Sequence, residues 1–271
     1  MTMQARSYLF VPGNRPERFD KACASGADAV ILDLEDAVGS DSKDKAREEI
    51  RQWIEQGNQA YIRINAANTK WFVDDCSLLA LKGVLGVMLP KAERKEDIQK
   101  LEQLKHDDCQ ILLLIETAKG LYQAAELAQL PCVSRLAFGS VDFQLDCSIP
   151  NSDFALDYAR SALVVASAVG GLPSPIDGVT VSLDDVDLIR GDSEKSKSLG
   201  FSAKLCIHPN QITIVNQAFL PTDKEVQQAQ RIVEAVTSAS DVSAARLDGK
   251  LLEKPIVIWA ERILALNEQH Q

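Results

Sequence analysis

The chain has little of what several common functions require. Of its 271 residues only three are histidine, and the six cysteines (Cys23, Cys76, Cys109, Cys132, Cys147 and Cys206) form no CxxC pair and no Cys/His spacing of a zinc site. They read as reduced, mostly buried small hydrophobes of a cytosolic protein. Positive charge is short as well. The net charge is −10 and the pI is near 4.9, which argues against nucleic acid or an anionic membrane as the main partner, because both reward a basic face. No apolar run approaches a membrane span and Met1-Thr-Met-Gln-Ala-Arg6 lacks a signal-peptide core, so the expectation is a soluble, cytoplasmic protein. No phosphate loop, nucleophile elbow or Ser/His/Asp order is found. The Gly-rich dinucleotide turn is missing too: after the first apolar run stands Val11-Pro-Gly-Asn-Arg-Pro16.

What is present is a repeated alternation. Hydrophobic residues make up 46% of the chain, enough for one large core, and no Pro/Gly/Ser-rich linker divides it. Apolar runs fall at 8–11, 29–34, 60–64, 86–89, 111–115, 136–138, 178–181 and 204–207, separated mostly by stretches long enough for a helix. They are rich in Val, Ile and Leu without strict alternation, as strands covered on both faces are. Eight such units joined by crossovers argue for an α/β fold of the closed (β/α)8 barrel type over residues 1–220, with an open doubly wound sheet as the competing architecture. Residues 221–271 differ. Helical periodicity from about Thr222 to Ala239 and from Pro255 to Glu268, joined by a polar segment carrying Asp248-Gly249, predicts a helical C-terminal appendage.

Two carboxylates close apolar runs: Glu116 after Ile111–Ile115 and Asp142 shortly after Leu136–Phe138. In a barrel both approach the rim at the strands' C-terminal ends, where active sites of this architecture lie. Two hard oxygen ligands with no His or Cys beside them suit a magnesium ion that keeps its waters for substrate. The competing reading is that each acid merely caps the following helix. Other strand ends bring Arg15, the acids Asp33, Glu35 and Asp36, then Arg63 and Asn65, Lys91 and Glu93, and His208 to the same mouth. Arg63 interrupts an apolar run, and its planar fork suits clamping a carboxylate or steadying an enolate; a salt bridge to Glu35 or Asp36 is the alternative. Glu35 and Asp36 stand beside the proposed metal, reaching it through water rather than as direct ligands. His208 reads as a hydrogen-bonded structural residue.

The segments Arg6–Arg18, Val30–Val38, Leu89-Pro-Lys-Ala-Glu93, Ile115-Glu-Thr-Ala-Lys-Gly120, Phe138-Gly-Ser-Val-Asp-Phe143 and Cys206-Ile-His-Pro-Asn-Gln-Ile212 together resemble the citrate lyase β-subunit-like family of the aldolase/citrate lyase superfamily. The motifs come in family order over nearly the whole chain. The resemblance implies a TIM barrel that cleaves a 3-hydroxyacyl thioester by a magnesium-assisted retro-Claisen reaction. Glu116 and Asp142 would hold the metal, Arg63 would bind the carboxylate of the oxo-acid half, and backbone amides near Gly139 and Ser140 would meet the same carboxylate. Many members have Ala-Glu where this chain has Ser140-Val141, a change that looks like the stand-alone citramalyl-CoA lyase branch, whose products are pyruvate and acetyl-CoA. Those lyases often place an Asp before Pro in the C-terminal appendage, reaching a neighbouring subunit's site; here Glu253 takes its place, in Lys250–Pro255. Arg6, Arg15, Arg18 and Lys21 are the nearest basic groups for the phosphates of CoA. The apolar clusters Ile256–Trp259 and Ile263–Leu266 predict a homo-oligomer, and the resemblance favours a trimer or a dimer of trimers. Alternatives of the same chemistry are a citrate lyase β subunit acting on an acyl-carrier thioester, a malyl-CoA lyase, or an aldolase of free hydroxy acids. A non-catalytic regulatory barrel is the alternative from another class.

Overall fold

The computed structural model describes residues 5–150, 153–238 and 246–268. Two compact units are resolved, one over Ala5–Asn216 and a second from Gln217 onward, so the division falls after residue 216 against the expected 220. In the first unit eight parallel strands close into a barrel in sequence order. They are β1 Ser7–Pro12, β2 Ala29–Asp33, β3 Ala60–Arg63, β4 Val84–Leu89, β5 Gln110–Ile115, β6 Val133–Phe138, β7 Ile176–Asp177 and β8 Ala203–Cys206. The helices between them are α1 Phe19–Cys23, α2 Lys43–Glu55, α3 Phe72–Cys76, α4 Lys95–Leu104, α5 Ala118–Leu127, α6 Ser140–Asp146, α7 Asp153–Val169 and α8 Val186–Ser198, with α9 Asn210–Ala218 after β8.

Periodicity explains how the helices cover the sheet. In α2, Ala46, Ile50, Trp53 and Ile54 recur on one face and are buried, while Glu48 and Glu55 face out and Arg47 turns to the buried Asp75 of α3. Inside the barrel, Tyr8, Ile31, Met88, Leu112, Leu114, Ile176 and Leu205 pack with the small residues Ala29, Ala137 and Ala203, so large and small side chains fill the taper. The floor is closed by Arg135, a buried cation that donates to the carbonyls of Ala5 and Ser174 and to the Tyr8 and Ser202 hydroxyls. Register positions the mouth. Asp33 pairs with Arg63 across β2 and β3, and Ile115 pairs with Phe138 across β5 and β6. Glu116 and Gly139 therefore leave the sheet side by side.

The seventh strand departs from the sequence expectation. Pairing is confined to Ile176–Asp177, just before the expected Gly178–Val181. The carbonyls of Thr180 and Ser182, which a longer strand would offer to its neighbours, are taken instead by the buried Gln211 amide, at 2.8 Å each. Gln211 also accepts the amides of Ile207 and His208, so one side chain ties the end of β8 to the loop after β7.

The second unit holds α10 Asp223–Ser238, a hairpin of β9 Arg246–Leu247 and β10 Lys250–Leu251, and α11 Lys254–Glu268. Ala239, expected to end the first of these helices, lies outside the described residues. The hairpin is an addition to the expected pair of helices. Asp248 and Gly249 both take positive φ, 49° and 75°, which is the twist that an Asp-Gly turn supplies between antiparallel strands. The unit's core is Ala229, Ile232, Leu252, Ala260 and Ile263. Ile256, Ile258, Trp259 and Leu266 stay exposed.

Candidate active site

A small cavity of about 70 Å³ opens at the C-terminal end of the barrel, lined by Phe10, Arg63, Leu114, Glu116, Phe138, Gly139, Ser140, Val141, Asp142, Val179 and Leu205. That space is of the order of five waters, the size of a three-carbon oxo acid rather than of a nucleotide-bearing thioester. Five of the expected site residues (Arg63, Glu116, Gly139, Ser140 and Asp142) line it together.

Glu116 is buried directly after β5, and its Oε1 accepts the Lys91 amide at 2.9 Å. It does not cap α5. That task falls to Thr117, whose hydroxyl accepts the Gly120 amide. Burial, reinforced by the charges of Glu35 and Asp142 and only partly offset by Arg63 and the Lys91 amide, pushes the Glu116 carboxyl up to about 8. Lys91 reaches this position through a left-handed backbone, φ 48°, an uncommon state for a residue with a side chain and one that clusters at functional sites. Its Nζ lies 3.4 Å from Glu35 Oε1. Asp142 sits in the first turn of α6, whose N-cap position is Gly139, and faces the cavity.

Arg63 is held more firmly than a lone clamp. Its Nε and Nη2 donate to the two oxygens of buried Asp33 at 2.7 Å each. Its Nη1 lies 3.0 Å from Glu35 Oε2 and 3.6 Å from Asp36 Oδ2. The salt-bridge alternative is thus real, with Asp33, unnamed as a partner from the sequence, as the main acceptor. Phe10 stacks on the guanidinium, 4.6 Å from ring centroid to Cζ. Burial opposes the charge on Arg63, but Asp33, Glu35 and Asp36 outweigh it and hold the guanidinium pKa well above its ordinary value. Glu35 moves the other way from most ion-paired acids: burial, with Asp36 and Asp33 adding to it, pushes it up to about 7 despite Arg63 and Lys91. The turn carrying these acids is pinned by Asp33, which accepts the Glu35 and Ala37 amides, and by Lys43, whose ammonium donates to the Leu34 and Glu35 carbonyls.

Two expectations need correction. Arg6 lies before β1, at the opposite end of the barrel from the mouth, where its fork binds Asp28 at 2.8 and 3.1 Å. A six-residue strand of roughly 20 Å separates it from the cavity, so it closes the floor rim and meets no substrate there. The Gly139 amide is also committed, donating to the Ile115 carbonyl at 3.0 Å. What Gly139 supplies is space: a Cβ there would collide with the Glu116 side chain. The free donors at this edge are the first-turn amides of α6, beginning at Ser140, which have no intrahelical acceptor. Lys21 lies exposed on α1, the helix that follows β1. Arg15 does stand past the end of β1, exposed, 3.7 Å from Glu17. His208 caps α9, its Nδ1 accepting the Asn210 amide at 3.2 Å, as expected of a structural histidine. Glu253 is exposed at the start of α11.

Around Arg63 and Glu116, the carboxylates Asp33, Glu35, Asp36, Glu116 and Asp142 face the cations Arg63, Lys91 and Lys43, five against three. A divalent cation fits that deficit. Among the described residues no group of three or more His, Cys, Asp or Glu side chains is arranged around a metal position. The donor set is then a pair of carboxylates, which suits an ion that keeps several waters.

The family model of HpcH/HpaI aldolase/citrate lyase matches residues 6–209, and that of a C–C bond lyase of the TIM-barrel fold matches residues 179–270. The chain belongs to the HpcH/HpaI aldolase/citrate lyase family. It is a carbon–carbon lyase of the citrate lyase β-like kind. A citrate lyase subunit beta-like protein of Deinococcus radiodurans is 31% identical, covering 96% of this chain and 96% of its own. A (3S)-malyl-CoA thioesterase of Cereibacter sphaeroides is 31% identical over 97% of this chain and 94% of its own. The structure of protein CitE of Mycobacterium tuberculosis in complex with magnesium, acetoacetate and coenzyme A superposes with a TM-score of 0.86 at 30% identity, covering 99% of this chain and all of that one. In this HpcH/HpaI family member, sequence reasoning brought the acids to the mouth but missed the left-handed backbone of Lys91 and the apolar side of the cavity. The apolar residues are indistinguishable from core by pattern alone; Lys91 follows Leu89-Pro90, a turn signal that marks the place without its φ.

Proposed function

We propose that this chain is a magnesium-dependent lyase that cleaves a 3-hydroxyacyl-CoA thioester, with (3S)-citramalyl-CoA giving pyruvate and acetyl-CoA as the substrate that fits best. The observation that carries the reading is the pair Glu116 and Asp142, short of positive charge, beside a fixed Arg63 over a cavity the size of a small oxo acid. Glu116 and Asp142 would hold magnesium, which would supply Lewis acidity toward the substrate's hydroxyl and carboxylate oxygens. Glu35 and Asp36 are the acids that would accept hydrogen bonds from its waters. Arg63, its orientation set by Asp33, meets the carboxylate or the developing enolate with the donors left on Nη1. The amides at the start of α6 face the same carboxylate.

The reaction removes the proton of the tertiary hydroxyl and breaks the bond between the hydroxyl-bearing carbon and the carbon next to the thioester. The bonding pair passes to the thioester as its enolate, and the oxo acid is left with a new carbonyl. A proton delivered to the enolate carbon completes acetyl-CoA. Glu253 of a second subunit is our assignment for that proton donor, which makes the working form a homo-oligomer, a trimer by family resemblance. Arg15 and Arg18 at the mouth are the basic groups nearest the emerging thioester arm. The M. tuberculosis relative that binds magnesium with acetoacetate and coenzyme A supports a CoA thioester over an acyl-carrier substrate.

The test is a panel of malyl-, citramalyl- and citryl-CoA incubated with and without magnesium, with oxo acid and free CoA thiol measured separately. Stoichiometric pyruvate without free thiol, dependent on magnesium, is the expected result for citramalyl-CoA. Free thiol without oxo acid would make the chain a thioesterase like its Cereibacter relative. No turnover of any thioester without an added acyl carrier would place it with the citrate lyase β subunits.

A further inference from the structure

The cavity is polar on one side only. Arg63, Glu116 and Asp142 come from β3, the end of β5 and the start of α6, while Phe10, Leu205 and Val179 come from β1, β8 and the segment after β7, which are neighbours in the barrel and pack in one apolar cluster, and Arg63 is the only Lys, Arg or His in the lining. Val179 lies outside β7, where a side chain would ordinarily be loosely placed, yet its neighbours on both sides are fixed. Gly178 passes so close to Ser140 that a Cβ would collide with its hydroxyl. Thr180 is held through its carbonyl by Gln211 at 2.8 Å and through its hydroxyl by Asp192 at 2.7 Å. Leu205 is buried on β8 and packs in the barrel interior, and Phe10 is stacked on Arg63. The apolar side is therefore a rigid wall facing the carboxylates and the guanidinium.

A substrate whose hydroxyl and carboxylate engage the polar side and whose thioester arm leaves through the mouth turns the fourth substituent of its hydroxyl-bearing carbon toward this wall. We infer that Val179, Leu205 and Phe10 select that substituent, accepting a hydrogen or a methyl group and disfavouring a carboxymethyl group. The inference rests on the lyase reading above and deepens it: the preferred substrates carry one carboxylate on the hydroxyl-bearing carbon, and a citryl thioester, which presents a second, is a poor one. The reason is desolvation. A second carboxylate against Val179 and Leu205 would lose water and meet no cation of its own, because Asp33 takes the Arg63 Nε and Nη2 and the first carboxylate takes the donors left on Nη1.

The three oxo-acid products differ only at this substituent: glyoxylate has hydrogen, pyruvate methyl and oxaloacetate carboxymethyl. Calorimetric binding of each in the presence of magnesium reads the wall without turnover. Wild type should bind pyruvate at least tenfold more tightly than oxaloacetate. Val179→Leu, which fills the methyl position, should weaken pyruvate by about 10- to 200-fold, the range for one methylene in an apolar pocket, and leave glyoxylate nearly unchanged. Val179→Thr, close to isosteric, should narrow the gap between pyruvate and oxaloacetate, and it keeps the test open should the leucine variant not fold. Oxaloacetate binding as tightly as pyruvate to wild type, equal weakening of glyoxylate and pyruvate by leucine, or an unchanged gap in the threonine variant would overturn the inference. Binding in the expected order by a protein that cleaves none of the three thioesters would leave the wall standing and remove the lyase reading instead.

Discussion

Two buried charge clusters lie in the same barrel, and their acids shift in opposite directions. Behind β7 and β8, Asp177 accepts the Arg160 Nε at 3.1 Å and the Ser196 hydroxyl, and lies 3.7 Å from the Lys204 ammonium. Burial works to raise its pKa, but Lys204 and Arg160, with Ser196 and the Gly178 amide, outweigh it and hold the carboxyl below its usual range. At the mouth, Glu116 and Glu35 are similarly buried and go up, to about 8 and about 7. Desolvation is common to both clusters, so the difference lies in the supply of cations. The cluster behind β7 is closed by the chain's own lysine and arginine, as a structural ion pair must be. The mouth cluster is not closed by the chain, and perturbed acids in a cleft mark candidate functional sites.

The contrast breaks most sharply under neutralisation of one acid in each place. Glu116→Gln removes one of two carboxylates aimed at the metal and should cost on the order of 100- to 1000-fold or more in turnover, the range for removal of a preorganised electrostatic group, while the metal-free protein stays folded. Asp177→Asn should do the reverse. It removes the buried carboxylate that Arg160 and Lys204 share, with Asp157 still 3.5 Å from Arg160, costing up to about 3 to 5 kcal/mol of stability, and leaves magnesium affinity alone. Denaturant melts and magnesium titrations on the two variants check both halves; loss of stability in the first or of metal affinity in the second would erase the distinction.

Arg63→Lys comes next in size. A point charge cannot reproduce the two 2.7 Å bonds to Asp33 together with an Nη1 turned to Glu35. The expected result is a 10- to 100-fold loss in kcat/KM, roughly 1.4 to 2.7 kcal/mol, with pyruvate binding weakened in parallel. Unchanged pyruvate affinity would confine Arg63 to its ion pair.

A smaller effect is set by pH. Glu35 and Glu116 have folded pKa values above those of the unfolded chain, so their protonated forms favour the native state. That contribution is complete below the ordinary carboxylate range and is lost as pH rises through about 7 and about 8. Metal-free protein should therefore melt at a lower temperature at pH 8.5 than at pH 6, and saturating magnesium should shrink or reverse the difference, because the ion binds the deprotonated acids. A metal-free melting temperature flat over that interval would count against the charge deficit. The smallest effect, a few-fold rise in KM for the thioester with kcat retained, is expected for Arg15→Ser at the exposed rim.

The parts of this contrast that the sequence revealed are those written locally. Buried Val, Ile and Leu runs ending in a charged residue announced both the barrel and the acids at its mouth, since an apolar strand must give way to polar residues where it reaches solvent. Partners across the barrel were not legible. Arg6 sits next to the first strand in sequence, but whether it belongs to mouth or floor depends on strand direction, and it precedes β1. The Asp33–Arg63 fork needs the β2–β3 register. Gly178-Val-Thr-Val181 has better strand propensity than Ile176–Asp177, yet Gln211 captures the Thr180 carbonyl and that of Ser182 just beyond, a tertiary contact that overrides local preference. Asp248-Gly249 carried a hairpin signal that the polar character of its surroundings concealed.

Proton release on magnesium binding tests the central claim most directly. Calorimetric titration near pH 7 in buffers of different ionisation enthalpy measures the protons displaced when the ion meets Glu116 and Asp142. The account predicts binding with a clear proton release, an affinity that weakens as pH falls because the ion must displace the Glu116 proton, and a marked loss of both binding and release in Glu116→Gln but not in Asp177→Asn. Binding of equal strength in wild type and Glu116→Gln, or no binding at millimolar magnesium, would contradict it.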